Sequence, residues 1–187
     1  MHVGSASTFG YGSRQRPGDE QSPYRGRHCC LGHLNYKRAA HQVAARHATR
    51  GAPVVMVAPT FIFGALDTHY GSSQLLIQFA RAAVVPCPPG GKNFVFVEDV
   101  AAAICNALTS GEPGESYILG HRNPTYRRLV ELIAEVIGRP RVTVALPPAL
   151  VRTAGAVGSA YGVVTQRPPA LNSAMARVAT GGHYYSP

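Results

Sequence analysis

Apolar residues along this chain fall into two alternating patterns. Short unbroken runs mark strands, and three-and-four spacings mark helices. Val54-Val55-Met56-Val57 follows Pro53 and reads as a strand buried on both faces, ended by Pro59. Phe94 to Val97, Ser116 to Leu119 and Val142 to Ala145 read as further strands, and Met1 to Ser5 as a short strand end. Between them lie helical stretches. Tyr36 to Arg50 has a stripe of Ala40, Val43, Ala44 and His47, with Gly51 as its stop. A helix from Ser72 or Ser73 carries Leu75, Leu76, Phe79, Ala80 and Ala83. Glu98 and Asp99 open another, where acids suit the helix dipole, with Val100, Ile104, Ala107 and Leu108 facing inward.

Asn123-Pro124 predicts an N-cap followed by proline at the first helical position. The helix it opens carries Leu129, Leu132, Ile133, Val136 and Ile137 and closes at Gly138. A glycine-interrupted apolar helix is expected from Pro148. Pro86 to Gly91 is expected as a turn, Ser13 to Gly32 as an exposed basic loop, and the chain beyond Arg167 as a weakly patterned tail. Strands alternating with helices argue an α/β fold.

Composition narrows the class. Hydrophobic residues make up 45% and charged residues 14% of 187 positions, as in a globular chain. The formal charge is +9, and 16 of the 18 basic residues are arginine. They are scattered without a run of five, so no nucleic-acid partner is expected and an anionic nucleotide ligand is the better use of the surplus. The apolar stretch from Ala52 to Leu66 is cut by Pro53, Pro59 and Gly64, which excludes a membrane span there, and no membrane partner is expected. No signal peptide is visible, and four cysteines without a Cys-x-x-Cys pair suit a reducing cytoplasm. His28-Cys29-Cys30 with His33 has no second ligand pair downstream, so no metal site is expected.

Several segments, in order, carry a family resemblance. Gly4-Ser5-Ala6-Ser7-Thr8-Phe9-Gly10 resembles the S-S-A-x-x-Y-G signature of extended short-chain dehydrogenases/reductases, the group of NAD-dependent epimerases, dehydratases and dihydroflavonol-reductase-like enzymes. Lys37-Arg38-Ala39-Ala40 resembles the second half of its Y-x-x-S/T-K-x-x-A pattern. Ala58-Pro59-Thr60-Phe61-Ile62-Phe63-Gly64 resembles N-P-x-x-x-x-G, and Asn93 to Ala103 resembles F-V-x-V-x-D-V-A-x-A. Gly114-Glu115-Ser116-Tyr117-Ile118-Leu119-Gly120 is similar to G-E-x-Y-x-L-G, and Tyr184-Tyr185-Ser186 to a late Y-S.

The resemblance implies hydride transfer at a carbinol or ketone carbon with NAD or NADP. Ser5 takes the place of the substrate-orienting serine and Lys37 that of the ribose-binding lysine. Pro59, Thr60 and Phe61 take the place of the loop over the nicotinamide. The tyrosine slot holds His33, and Tyr36 stands in the Ser/Thr slot, so either replaces the family's acid/base. Adjacent helix residues point about 100° apart. A Gly-rich pyrophosphate turn is absent from the sequence.

The expectation is therefore a partial Rossmann-like parallel sheet, its first strands missing, with a small α/β substrate-binding lobe: the C-terminal portion of the family fold. Residues 1–64 are expected to belong to the nucleotide-binding domain, 65–166 to a mixed substrate lobe and returning core, and 167–187 to the tail. The function expected is a truncated or degenerate NAD(P)-dependent epimerase, dehydratase or reductase acting on a small molecule, the alternative being a non-catalytic binding or regulatory fragment. Sheet surface uncovered by missing strands favours a homo-oligomer or aggregation.

Overall fold

The computed structural model describes residues 1–24, 32–65, 67, 73–167, 169 and 171–186; for Gly32 and His33 it describes the backbone alone. The chain divides into two compact units. One comprises Met1–Ser72, Asn93–Asn123 and Tyr184–Pro187, the other Ser73–Lys92 and Pro124–His183. The contiguous blocks expected at 1–64, 65–166 and 167–187 do not correspond to these units, because each unit is assembled from separated stretches of chain.

The first unit is built on a parallel sheet of β1 (His2–Val3), β2 (Met56–Pro59) and β6 (Ser116–Leu119), in the order β1-β2-β6. The parallel pairing expected of the first strand and the Val54 segment is observed: His2 stands opposite Met56 and Val3 opposite Val57. Helix α1 (Gly32–Ala48) makes the crossover between them. All four residues of β2 are buried, as the continuous apolar run predicts for a strand covered on both faces.

Pro59 lies inside the strand rather than beyond it, opposite Leu119. The amides of Met56 and Thr60 donate to Glu115 and Leu119. Even-numbered amides therefore face β6, and the missing N–H of Pro59 removes no bond from that ladder. A second parallel pair joins β3 (Phe61–Phe63) to β5 (Phe94–Phe96), and α3 (Val97–Ser110) follows β5 directly. Ala6, Phe9, Ala58, Ile118 and Tyr185 form this unit's core cluster.

The second unit contains α2 (Ser73–Arg81), β4 (Val84–Cys87), α4 (Tyr126–Ile137), β7 (Val142–Ala145), α5 (Pro148–Thr165) and α6 (Ser173–Gly181). β4 and β7 pair in parallel, and Val85, Cys87 and Val130 pack together with Phe79 and Ala82. The expected turn at Pro86 is half strand. Val142 and Leu146 donate to Ala83 and Cys87, so Pro86 turns its nitrogen to the open edge of a two-stranded sheet, where a proline is tolerated.

Two other local expectations change. The α4 cap is Thr125, whose hydroxyl accepts from the Arg128 amide at 3.2 Å, while Asn123 is engaged elsewhere. The tail contains α6, capped by Asn172 accepting from the Met175 amide at 2.8 Å. Its helical character is weak in sequence because small residues, Ala174 and Ala176, form its buried face.

Candidate functional site

Ligands of parallel α/β sheets bind outside the carboxyl ends of the strands. At that edge β1 runs into Gly4-Ser5, β2 into Thr60-Phe61 and β6 into Gly120-His121. Helix α1 runs back between two parallel strands, so its first turns, bearing Tyr36 and Lys37, begin at the same edge.

Ser5 is half-buried, and its Oγ shares a 2.9 Å hydrogen bond with Ser7 Oγ. Its carbonyl accepts from both the amide and the hydroxyl of Thr8, at 2.9 and 2.8 Å, which closes a single 3₁₀ turn over Ala6–Thr8. The Arg38 guanidinium donates to Thr8 O at 2.9 Å and lies 5.6 Å from the Tyr24 ring centroid. The Tyr24 hydroxyl donates to Asn35 Oδ1 at 2.9 Å. The serine turn is thus clamped to α1 by Arg38, whose guanidinium also meets the Tyr24 ring; the family motifs singled out neither residue.

The buried face of α1 differs from the expected stripe. Leu34 and His41 are buried, seven residues apart, with Arg38, Ala44, Ala45 and Ala48 half-buried between and beyond them. Ala40, Val43 and His47 are exposed. An alanine-rich helix has weak apolar asymmetry, and the side that docks is decided by a histidine. His41 packs edge-on against Phe9 at 4.9 Å and near His2 at 6.0 Å. Burial first, then the charges of Arg38 and His2, hold the His41 imidazole below its ordinary pKa.

Lys37 and Tyr36 therefore point outward, Tyr36 with 79% of its surface exposed. Among the described residues no hydrogen bond joins Ser5 to Tyr36 or Lys37. The acid/base role expected of His33 concerns a side chain outside the described residues, as does the His28-Cys29-Cys30 cluster.

Pro59, Thr60 and Phe61 are tied into the protein. Thr60 N donates to Leu119 O at 2.9 Å and Phe61 N to Asn93 O at 3.3 Å. Thr60 Oγ1 donates to Asn93 Oδ1 at 2.7 Å, and the Phe61 ring meets Phe94 edge-on at 5.1 Å. Asn93, 1% exposed, is the hub of this edge. Its Oδ1 also accepts from the His121 amide at 3.2 Å, and its Nδ2 donates to Asn123 Oδ1 at 3.0 Å and Tyr185 O at 3.2 Å. Asn123 closes the network by donating to Tyr185 O at 2.8 Å and accepting from the Tyr185 amide at 3.2 Å. Sequence reading placed Asn93 at the head of a motif and missed its role, because its four partners come from three distant segments.

A nicotinamide dinucleotide fits these residues only in part. Ser5 and Lys37 offer a hydroxyl and an ammonium at the carboxyl edge of the sheet. The amides of Thr60 and Phe61 are already used. Among the described residues no Gly-rich turn opens a helix, and α3 begins with Glu98 and Asp99, whose charges oppose a pyrophosphate at that N-terminus.

The fold and its edge define a Rossmann-like α/β protein with parallel sheets. The profile of the NAD dependent epimerase/dehydratase family matches residues 1–120, and the chain belongs to that family. The match runs from residue 1 and lends no support to the expectation that only the family's C-terminal portion is represented. The chain is 30% identical over 106 residues to sterol demethylase protein B of Methylococcus capsulatus, a stretch covering 56% of this chain and 32% of that protein. The structure of gox2253 superposes with a TM-score of 0.78 at 23% identity, over 98% of this chain and 56% of that one. UDP-glucose 4-epimerase of Thermus thermophilus, solved with NAD, gives 0.61 at 18% identity, over 95% and 61%. The chain thus spans about a third of the curated relative and a little over half of the solved chains. These likenesses establish the fold.

Proposed function

We propose that the chain serves NAD(P)-linked chemistry at a carbinol or ketone carbon of a small molecule, in the manner of an epimerase, dehydratase or reductase. In this reading the Ser5 hydroxyl orients the substrate oxygen, Lys37 addresses the nicotinamide ribose, and His33 or Tyr36 exchanges the proton. The observation that carries it is the common edge: Ser5, the first turns of α1 and the Thr60-Phe61 step from β2 to β3 all lie at the carboxyl ends of parallel strands. The clamp of Arg38 on Thr8 gives the serine turn a fixed place against the helix that bears Lys37.

A second reading, a non-catalytic binding module of the same fold, is favoured by one observation. Tyr36 and Lys37 face outward and Ser5 bonds to Ser7, so the described side chains are not joined into a proton-transfer chain. Fold membership alone does not decide between the two.

The experiment uses the full chain with NADH and NADPH. Saturation-transfer NMR is expected to show contact at the nicotinamide protons, weakened in Ser5→Ala and Lys37→Ala. Contact that is absent, or unchanged in both variants, sinks both readings at this edge. Deuteride transfer from C4-deuterated NADH or NADPH to a panel of ketones and nucleotide sugars then separates them. Transfer supports the catalytic reading, and contact without transfer supports the binding module.

A further inference from the structure

The second unit carries nine Arg and Lys residues against two glutamates, whereas the first is nearly balanced at nine against seven. Both glutamates, Glu131 and Glu135, are already paired with Arg127 and Arg128 along α4. No acid follows Glu135 in the remaining 52 residues. Most of the chain's net positive charge therefore belongs to one unit.

That unit also bears an apolar helix with two apolar sides. One side of α5 is packed. Val151 and Gly155 are buried, and a Cβ on Gly155 would meet Ala176 Cβ at 2.5 Å. A Cβ on Gly158 would meet the Leu171 carbonyl oxygen at 1.9 Å. The glycines of this helix thus admit the 171–176 segment against its backbone. The other side is a second stripe at three-and-four spacing, Leu150, Val157, Tyr161 and Val164, and all four are exposed, Val157 by 70% and Val164 by 83%. Leu150, Val157 and Tyr161, with Pro169 and Leu171, line an open groove of about 620 Å³. The one charged residue of α5 is Arg152, and Arg167 follows its end.

We propose that this face of α5 docks on an anionic phospholipid bilayer, lying in the plane of the interface with Leu150, Val157, Tyr161 and Val164 turned into it. Charge selects this occupant. A second copy docked through the same face would bring the same large excess of arginine against it, a like-charge apposition. An anionic lipid surface offsets the same charge, each basic residue near it contributing favourably. Tyr161 on the stripe suits the headgroup boundary, where amphipathic rings concentrate. No described helix is long and apolar enough to cross a membrane, and an interfacial helix needs only one apolar face. The expectation of no membrane partner rested on the lack of a spanning run, a criterion that does not detect a surface-lying helix.

The chain has no tryptophan, so one introduced indole reports a single place. Val157→Trp puts it on the stripe, and Val136→Trp puts it on the exposed end of α4, where Val136 is 88% exposed. With vesicles of phosphatidylcholine mixed with phosphatidylglycerol, the Val157→Trp emission is expected to shift to the blue and that of Val136→Trp to stay. Binding to pure phosphatidylcholine should be about tenfold weaker or more, and added salt should reverse the binding to mixed vesicles. Val157→Asp should abolish co-sedimentation with an unchanged circular dichroism spectrum. Should that variant misfold, Arg152→Gln with Arg167→Gln should weaken binding instead. No co-sedimentation with mixed vesicles overturns the proposal, as does equal binding to both lipids. A concentration-dependent dimer that shifts the Val157→Trp emission without lipid assigns the face to a second copy and also overturns it.

Discussion

Asn93 shows what one side chain does at the sheet edge. Buried amides cost free energy unless their donors and acceptors are met. Asn93 meets them with Thr60, His121, Asn123 and Tyr185, tying the ends of β2 and β6 to the late Tyr185. Gly120 is the glycine that makes room: a Cβ there would stand 2.5 Å from Asn93 Oδ1. Asn93→Ala is expected to cost about 2–4 kcal/mol in urea denaturation, because several buried groups lose partners at once. Thr60→Val, which removes one bond, should cost about 1 kcal/mol. If Asn93→Ala proves no worse than Thr60→Val, the hub reading is wrong.

At the scale of the element, α1 docks through a histidine, and this makes its packing sensitive to pH. Among the described residues the buried Nδ1 of His41 meets no partner, and its pKa is lowered by burial, Arg38 and His2. In the second unit His183 is lowered to about 4, by burial and then by Lys92. A group with a folded pKa below its unfolded value of 6.5 binds more protons when unfolded. Stability is then fully present above pH 6.5 and declines as pH falls through that value toward the folded pKa. For His183 the decline reaches at most about 3 kcal/mol near pH 4. Urea midpoints measured from pH 7.5 down to 4.5 should therefore fall. His41→Leu, which removes the unpartnered Nδ1 together with the 3.5 Å contact of Nε2 with Ser116 Oγ, should stay within about 1 kcal/mol of the parent at pH 7.5 and gain on it at pH 5. A pH-independent difference between the two chains would remove His41 from this account.

At the scale of the whole molecule, the proposed chemistry needs a dinucleotide, and among the described residues no Gly-rich turn opens a helix to receive its pyrophosphate. Calorimetric titration with NADH and NADPH is expected to give nothing tighter than about 1 mM, roughly −4 kcal/mol. Micromolar binding would show a pyrophosphate site that these residues do not form. The unequal sharing of charge belongs to this scale too. It divides a nearly neutral unit that holds the candidate site from a basic unit that presents α5.

By itself the sequence determined many of the elements, though not β3, β4 or α6. The buried run at β2, the Ser116–Leu119 strand, the acids opening α3 and Gly138 at the left-handed cap of α4 are local signals, set by a few adjacent residues. It also determined the family, through motifs spread in order along the chain. Tertiary structure decided which side of each element faces inward. The α1 stripe turned so that His41 rather than Val43 is buried, and Val136 of α4 lies exposed while Val130 is covered. It moved Asn123 from cap to network, and it put Pro86 within a strand. It left Tyr36 and Lys37 outward and tied Thr60 to Asn93. Such choices depend on partners far away in the chain, and three-and-four spacing carries no record of which partner will meet which face.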